Sequence, residues 1–131
     1  MKEPVWLDRE ECLAVHEMML AQHGGLAGVR DEGLLESALS KPRNLFAYPS
    51  PTLIELAASY AAGIILNHPF LDGNKRTGFM AAAIFIEVNG LVLGATEESV
   101  VEKTLALAAG RLNETGYAAW LKASSRKARR R

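Results

Sequence analysis

The stretch HPFLDGNKR, residues 68–76, places five polar or charged side chains at the junction of two apolar runs. Polar groups next to a core cost free energy unless they are hydrogen-bonded or paired, so such a cluster is a candidate functional site. A histidine is suited to general-base work at neutral pH, because the ordinary pKa of its side chain is about 6.5. We therefore interpret His68 as the candidate base of a catalytic site.

The neighbouring residues predict where this base lies. Pro69 disfavours helix at the residue before it, so a first helix should end near Asn67. Phe70 is the large apolar side chain of the loop and is expected to anchor the loop in the core. Asp72 and Gly73 predict a turn, and the next helix begins directly after it.

That next helix predicts an anion site. A helix N-terminus offers free backbone N–H groups and the positive end of the helix dipole, which together suit a phosphate. The predicted phosphate- and ATP-binding residues are Gly73, Asn74, Lys75 and Arg76. Asp72 supplies a hard oxygen ligand of the kind that Mg²⁺ takes when it bridges phosphate oxygens. A base, a metal ligand and a phosphate site together predict phosphoryl or nucleotidyl transfer.

Two other motifs are excluded by their spacing. The residues GNKRT resemble the end of a P-loop, but the upstream glycine is absent and no strand precedes them. The residues DGNKR resemble the start of a calcium loop, but Thr77 stands where that loop needs Gly and Ala83 where it needs Glu.

The elements that must position this loop are predicted to be all helical. Asp8 caps a helix that ends at Gly24–Gly25, and Asp31 caps a short helix that ends before Pro42. Residues 41–51, rich in proline, are expected to form an ordered loop. Further helices are predicted from near Thr52 to 67, about 76–88, from Thr96, and about 113–122. The helix at 76–88 is apolar on all sides, which predicts a buried central helix with the active loop at its N-terminus.

Composition indicates a single domain over 1–123, followed by a basic, disordered tail over 124–131. Cys12 cannot form an internal disulfide and is expected to be a small core residue. The chain has a net charge of zero, which favours neither nucleic acid nor a membrane surface as a partner. Without an apolar signal segment or membrane span, the expected location is the cytoplasm. His16 and His23 are expected to have no active role.

The residues HPFLDGNKRTG resemble the signature of the Fic/Doc superfamily, His-Pro-Phe-x-Asp/Glu-Gly-Asn-Gly-Arg-x-x-Arg. The similarity extends to GGLAGVRDEGLLESAL and VNG, and these stretches are similar to the Doc-type toxins of bacterial toxin–antitoxin pairs. This resemblance implies that His68 activates the acceptor hydroxyl and that Asp72 holds the Mg²⁺–phosphate assembly. It also implies that Asn74 and Arg76 bind phosphates.

Two departures from the signature indicate which reaction is expected. Lys75 stands where nucleotidylating members carry the second glycine, and Phe79 stands where they carry the final arginine. Both match the Doc branch, and the resemblance implies kinase activity with ATP on translation elongation factor Tu, arresting translation and growth. The alternatives are nucleotidyl transfer (AMPylation) by the same His68 and a catalytically silent interaction module with the same fold.

The resemblance also predicts a protein inhibitor. The inhibitory helix of many Fic proteins reads Ser/Thr-x-x-x-Glu-Gly/Asn, and the nearest match, Gly28 to Gly33, lacks the hydroxyl residue. Inhibition is therefore expected from a separate antitoxin, a segment of which would fold as an amphipathic helix into an apolar groove near the active loop.

Overall fold

Six helices and one two-stranded sheet make up the computed structural model, which describes residues 2–128. In chain order the elements are α1 (Arg9–His23), α2 (Glu32–Phe46), α3 (Leu53–Asn67), α4 (Asn74–Val88), β1 (Leu91–Leu93), α5 (Glu97–Ala108), α6 (Glu114–Ala123) and β2 (Ser125–Lys127). The predicted all-α class is confirmed, because each strand has only three residues. No helix in this range is long and apolar enough to cross a membrane.

Side-chain caps set the start of five of the six helices in the described range. The Asp8 carboxylate accepts a hydrogen bond from the Glu11 N–H, and the Glu11 carboxylate accepts one from the Asp8 N–H. Thr52 and Glu55 form the same reciprocal pair at the start of α3. These bonds satisfy N–H groups that a helix start leaves without partners. The other side-chain caps are Asp31, Thr96 and Asn113.

Helix α3 lies at the centre of the core. Eleven of its fifteen residues are buried, and it packs against α2, α4, α5 and α6. The sequence placed α4 at the centre, but α4 has eight buried residues and ends at the exposed Val88. Position explains the difference, because α3 has α2, α4, α5 and α6 around it, whereas α4 leaves Lys75, Arg76 and Val88 exposed. The predicted active loop does join α3 to the N-terminus of α4.

Helix α2 is longer than the sequence predicted. The helix was expected to end before Pro42, but it continues through this buried proline to Phe46. A proline inside a helix removes one hydrogen bond and crowds the preceding turn. Burial on the far side of the proline outweighs this cost here, since Leu45 and Phe46 pack against the core and the Phe46 ring meets Trp6 edge-on at 5.5 Å. The predicted loop is thereby reduced to the residues between Phe46 and Leu53.

The segment predicted to be a disordered tail forms a strand in its described part. Strand β2 pairs antiparallel with β1, with Leu91 opposite Lys127 and Leu93 opposite Ser125. The ladder is extended by a hydrogen bond from the Ala128 N–H to the Gly90 carbonyl at 2.9 Å. Backbone groups make this pairing, so the basic side chains on which the prediction rested do not reveal it. The last residues of the predicted tail, 129–131, lie outside the described range.

The thiol of Cys12 belongs to the core, as predicted. The residue is fully buried on the inner face of α1. Burial raises the pKa of this thiol to about 12, because a thiolate would lose its hydration there. A buried thiol that stays protonated is unreactive, and this excludes Cys12 as a nucleophile in the native state.

Gly78 permits the close packing of α4 on α3, and its replacement provides the first prediction. A Cβ at this position would lie 2.5 Å from Cγ1 of Ile65 and 3.1 Å from the carbonyl oxygen of Ala61. We expect Gly78→Ala to lower the free energy of unfolding by about 1–3 kcal/mol, because two packed helices must move apart. Urea denaturation followed by far-ultraviolet circular dichroism measures the change.

Gly33→Ala is the matched control. Gly33 also lies within a helix, but it is exposed, and its added Cβ would meet only the Asp31 side chain at 3.3 Å. We expect this variant to stay within about 0.5 kcal/mol of the original protein. Equal destabilisation by the two substitutions would contradict the packing argument.

Candidate active site

The loop between α3 and α4 begins at His68. This residue follows the last turn of α3 and has φ 52° and ψ 56°, the left-handed conformation that non-glycine residues rarely adopt. Its side chain is exposed. Its carbonyl oxygen accepts a hydrogen bond from Nε of Arg30 at 2.7 Å. The predicted base thus stands at the turn where the chain leaves the core, with its backbone held from outside the loop.

The middle of the loop is pinned by the segment 28–31, which links α1 to α2. The Arg30 and Asp31 N–H groups donate to the Pro69 carbonyl at 2.7 and 3.1 Å, and the Leu71 N–H donates to the Gly28 carbonyl at 3.0 Å. Between these bonds the Phe70 side chain is fully buried. The loop is therefore a short extension of packed structure.

Asn74 closes the loop on itself. Its Nδ2 donates to the Phe70 carbonyl at 3.0 Å, and its Oδ1 accepts from the Phe70 N–H at 2.9 Å. The residue is only 7% exposed, so its amide is engaged inside the loop. The phosphate contact expected of the Asn74 side chain stays a prediction, and its backbone N–H lies in the first turn of α4.

Asp72 is held on three sides. One carboxylate oxygen accepts from the Gly73 N–H at 2.9 Å, and the other accepts from the Leu26 N–H at 3.3 Å. The Asp72 carbonyl oxygen lies 2.8 Å from Nε2 of His16, which must be the donor because a carbonyl can only accept. The His16 ring also stacks on Phe70, with centroids 3.8 Å apart and planes 9° from parallel.

The start of α4 differs from every other helix start in the part of the chain that is described. Its N-cap, Gly73, has φ 77° and makes no side-chain cap. Glycine is favoured there because it adopts the left-handed region without steric cost. The first backbone bond into the helix runs from the Thr77 N–H to the Gly73 carbonyl at 3.0 Å. The N–H groups of residues 74–76 are therefore left for another acceptor.

Two cations lie in the same turn. Lys75 and Arg76 are exposed, and neither side chain is paired with another of residues 2–128 by an ion pair or a side-chain hydrogen bond. Positive side chains oppose the helix dipole at an N-terminus. Uncapped N–H groups and two cations together form a site that fits an anion such as a phosphate.

A groove of about 620 Å³ opens beside this turn, between α1, α4 and α5. One end is polar and consists of Asp72 to Arg76. The rest is mainly apolar, with Met19 on α1 and Phe79 and Met80 on α4. The walls also include Gln22, His23, Glu97, Val100, Val101, Thr104 and Leu105. His68 does not line the groove, so the structure brings residues 72–76 together around one opening and leaves His68 at the other end of the loop.

Magnesium fits this site only together with a phosphate ligand. Residues 2–128 contain no group of three or more His, Cys, Asp or Glu side chains that could hold a metal ion. Mg²⁺ is commonly bound by one or two carboxylates plus substrate phosphates, and the exposed Asp72 carboxylate beside the anion site matches that pattern. Asp72 would supply one carboxylate ligand, and the other ligands would include phosphate oxygens and water.

Sequence reasoning missed two residues that shape the loop. His16 was assigned no active role, although its position among the buried residues of α1 carried a signal, because a buried histidine needs a hydrogen-bond partner. Arg30 gave no signal, since it meets the loop across a sequence separation of 37 and 38 residues. Phe79, which belongs to the helix predicted to be buried on all sides, is half-buried and forms part of the groove wall.

One family model and two known proteins match this chain. The model of the Fic/DOC family matches residues 6–86, which include the loop and the segment that holds it. "Protein kinase doc" of Escherichia phage P1 is 31% identical over 110 residues, covering 83% of this chain and 86% of that protein. "Toxin Doc" of Mycolicibacterium smegmatis is 38% identical over 94 residues, covering 69% of this chain and 68% of that protein.

The bond between His16 and Asp72 leads to a prediction about the loop. His16→Phe keeps a ring to stack on Phe70 but removes the N–H that reaches the Asp72 carbonyl. We expect a folded protein whose free energy of unfolding is lower by about 0.5–1.5 kcal/mol, the usual net value of one hydrogen bond. Amide exchange at Leu71 should become faster, whereas exchange in α6 should not change.

His16→Gln is the comparison, because its side-chain amide can still donate where Nε2 does. In the His16→Gln variant the Leu71 amide should regain part of its protection from exchange, although glutamine lacks the ring that stacks on Phe70. If the Leu71 amide exchanges as slowly in the His16→Phe variant as in the original protein, the hydrogen bond between His16 and Asp72 does not hold the loop.

Proposed function

The chain belongs to the Fic/Doc family, and we propose that it is a Doc-type toxin that transfers the γ-phosphoryl group of ATP to a hydroxyl side chain of a target protein. By resemblance to the Doc branch, the target is translation elongation factor Tu, so that translation and growth stop. The observation that carries this proposal is the uncapped start of α4, where free N–H groups and two exposed cations stand next to Asp72 and on the same loop as His68.

The reaction follows from the residues of the loop. His68 takes the proton of the target hydroxyl, and the hydroxyl oxygen attacks the γ-phosphorus while the bond to the β-phosphate oxygen breaks. The products are a phosphorylated side chain and ADP, with the proton on the imidazole. The N–H groups at the start of α4 and the Arg76 guanidinium offset the negative charge that develops on the transferred group.

The metal and Lys75 have separate tasks. Asp72 would hold Mg²⁺ bound with ATP, and the ion would supply positive charge that offsets the charge of the phosphates. Nucleotidylating relatives have glycine at the position of Lys75, and the long cationic side chain of Lys75 takes up the space that glycine leaves open. We propose that the nucleotide therefore binds with its terminal phosphate toward the hydroxyl. Phe79 favours the same orientation, because an uncharged ring cannot hold the phosphate that the signature's last arginine would hold.

The labelled phosphate of ATP decides between the two transfer reactions. We expect purified elongation factor Tu, or a protein of a bacterial lysate, to acquire label from γ-labelled but not from α-labelled ATP. The mass gain should be one phosphoryl group. His68→Ala should lower the transfer rate by roughly 10²–10⁴-fold, the usual contribution of a general base, while the circular dichroism spectrum stays that of the folded protein.

The outcomes separate the alternatives. Transfer of α-label with a mass gain of one adenylyl group would show nucleotidyl transfer. No label on any protein, from a folded chain that binds its antitoxin, would support a silent interaction module. Lys75→Gly should weaken phosphoryl transfer without producing efficient adenylylation, because Phe79 still lacks a guanidinium.

An antitoxin helix is the occupant we propose for the groove between α1, α4 and α5. The α5 wall presents Val101 and Leu105, which are 54% and 46% exposed, and the opposite end presents Lys75 and Arg76. An amphipathic helix fits such a groove with apolar side chains every three or four residues, and an acidic side chain on it would meet the two cations. A helix in this position would cover the phosphate site.

A pair of valine substitutions tests the antitoxin proposal. Val101→Glu places a charge on the groove wall, whereas Val88→Glu places it at the end of α4, outside the groove, on a side chain that is 53% exposed. We expect the product of an adjoining gene to bind the toxin and restore growth. Val101→Glu should weaken this binding at least about tenfold, since a desolvated charge costs more than 1.4 kcal/mol.

Val88→Glu should bind the antitoxin and transfer the phosphoryl group as the original protein does. Calorimetric titration and growth on co-expression give the two readouts. If the antitoxin binds the Val101→Glu variant with the original affinity, its binding site lies outside this groove. If no product of an adjoining gene binds the protein, the proposed toxin–antitoxin pair is wrong.

A further inference from the structure

Three successive carbonyls at the end of α3 are held by one short segment. The Arg30 guanidinium donates through Nη2 to the Asn67 carbonyl at 2.9 Å and through Nε to the His68 carbonyl at 2.7 Å. The backbone N–H groups of Arg30 and Asp31 hold the next carbonyl, that of Pro69. The carbonyls of a last helical turn lack intrahelical partners, and a cation there also favours the negative end of the helix dipole.

The backbone of His68 needs this support. Ser50 and His68 are the two non-glycine residues with positive φ in the described range, and the φ of His68 is 52°. Left-handed backbone is strained for an L-residue and persists where surrounding contacts hold it. The direction in which the imidazole leaves the chain follows from this conformation, so the position of the base depends on what holds the backbone.

We propose that Arg30 is a positioning residue for His68: its guanidinium holds the backbone of His68 in the left-handed conformation that aims the imidazole at the acceptor hydroxyl. The proposal rests on the function proposed above, in which His68 is the base. In this proposal Arg30 acts through the backbone of His68 and not directly on ATP or the target. Within residues 2–128 its guanidinium is in no ion pair, so its hydrogen bonds to the two carbonyls are the interactions to test.

The shape of the arginine side chain matters here. Its planar fork presents Nε and Nη2 in fixed directions and reaches two neighbouring carbonyls at once, whereas a lysine ammonium is a single point of charge. Arg30→Lys therefore keeps the charge at the end of α3 but loses the paired geometry. Arg30→Met keeps much of the side-chain length and loses both. Because Arg30 is exposed, neither substitution opens a cavity in the core.

Arg9→Met is the matched control. Arg9 is also an exposed arginine with two hydrogen bonds from Nε and Nη2, but these go to the Glu32 carboxylate at the start of α2 and not to the backbone of the loop. Its replacement removes two surface ion pairs of small worth, to Glu10 and Glu32, and no contact with His68.

The experiment measures the conformation of His68 and the kinetics of transfer in the same variants. The Cα and Cβ chemical shifts of His68 and its HN–Hα coupling report its φ. We expect Arg30→Met to lose the left-handed signature and to lower kcat about 10–100-fold with little change in KM for ATP, since a small misplacement of a catalytic group has effects of this size. Arg30→Lys should lie between, and Arg9→Met should match the original protein in both.

Each outcome decides the proposal. An unchanged His68 signature in Arg30→Met would overturn it, because the guanidinium would then not hold the conformation. A changed signature with unchanged kcat would also overturn it, because the contact would be structural only. If the unaltered protein transfers no phosphate, the function proposed above fails, and the spectroscopic result alone decides whether Arg30 positions His68.

Discussion

The site depends on how the backbone of one short loop is satisfied where two apolar helices meet. Peptide groups near a core must have hydrogen-bond partners. Here the Asn74 side chain hydrogen-bonds both the N–H and the carbonyl of Phe70. The segment 28–31 hydrogen-bonds the Pro69 carbonyl and the Leu71 N–H. Because these bonds leave the loop little freedom, the positions of His68 and Asp72 are set by packed structure elsewhere.

The same region leaves one set of groups unsatisfied. Five helix starts in the described range have a side-chain cap, whereas α4 starts with an uncapped glycine followed by Asn74, Lys75 and Arg76. Two cations at a helix N-terminus are unfavourable by about 0.3–1 kcal/mol each without an anion. The loop is held by several hydrogen bonds, whereas the helix start beside it has no side-chain cap. A bound phosphate would offset the unfavourable charge there.

The helix boundaries that the sequence predicts correctly depend on residues that are close together in the chain. Caps at Asp8 and Thr52 lie next to the residues they bond, and the boundary at Pro69 follows from steric effects on the preceding residue. The features that were missed depend on distant residues. The helix through Pro42 is maintained by packing against Trp6, and β2 by pairing with a strand more than thirty residues earlier. No neighbouring residue signals either contact.

The candidate site also has some features that depend on neighbouring residues and others that depend on distant ones. The pattern of residues 68–76 identified the loop and the helix start, because the relevant chemistry lies within nine consecutive residues. The contacts of Arg30 and His16 with that loop required the fold. So did the groove, since its walls come from three helices whose packing no local pattern describes.

The loop has two ends, and the buried Phe70 lies between them. On one side, residues 72–76 face the groove between α1, α4 and α5. On the other, His68 stands at the end of α3, outside that groove. Under the proposed function, the phosphates approach from the groove, whereas the target's hydroxyl meets His68 without entering it. A partner bound in the groove would then exclude the nucleotide while leaving the base exposed, so inhibition would act on one substrate and not on the other.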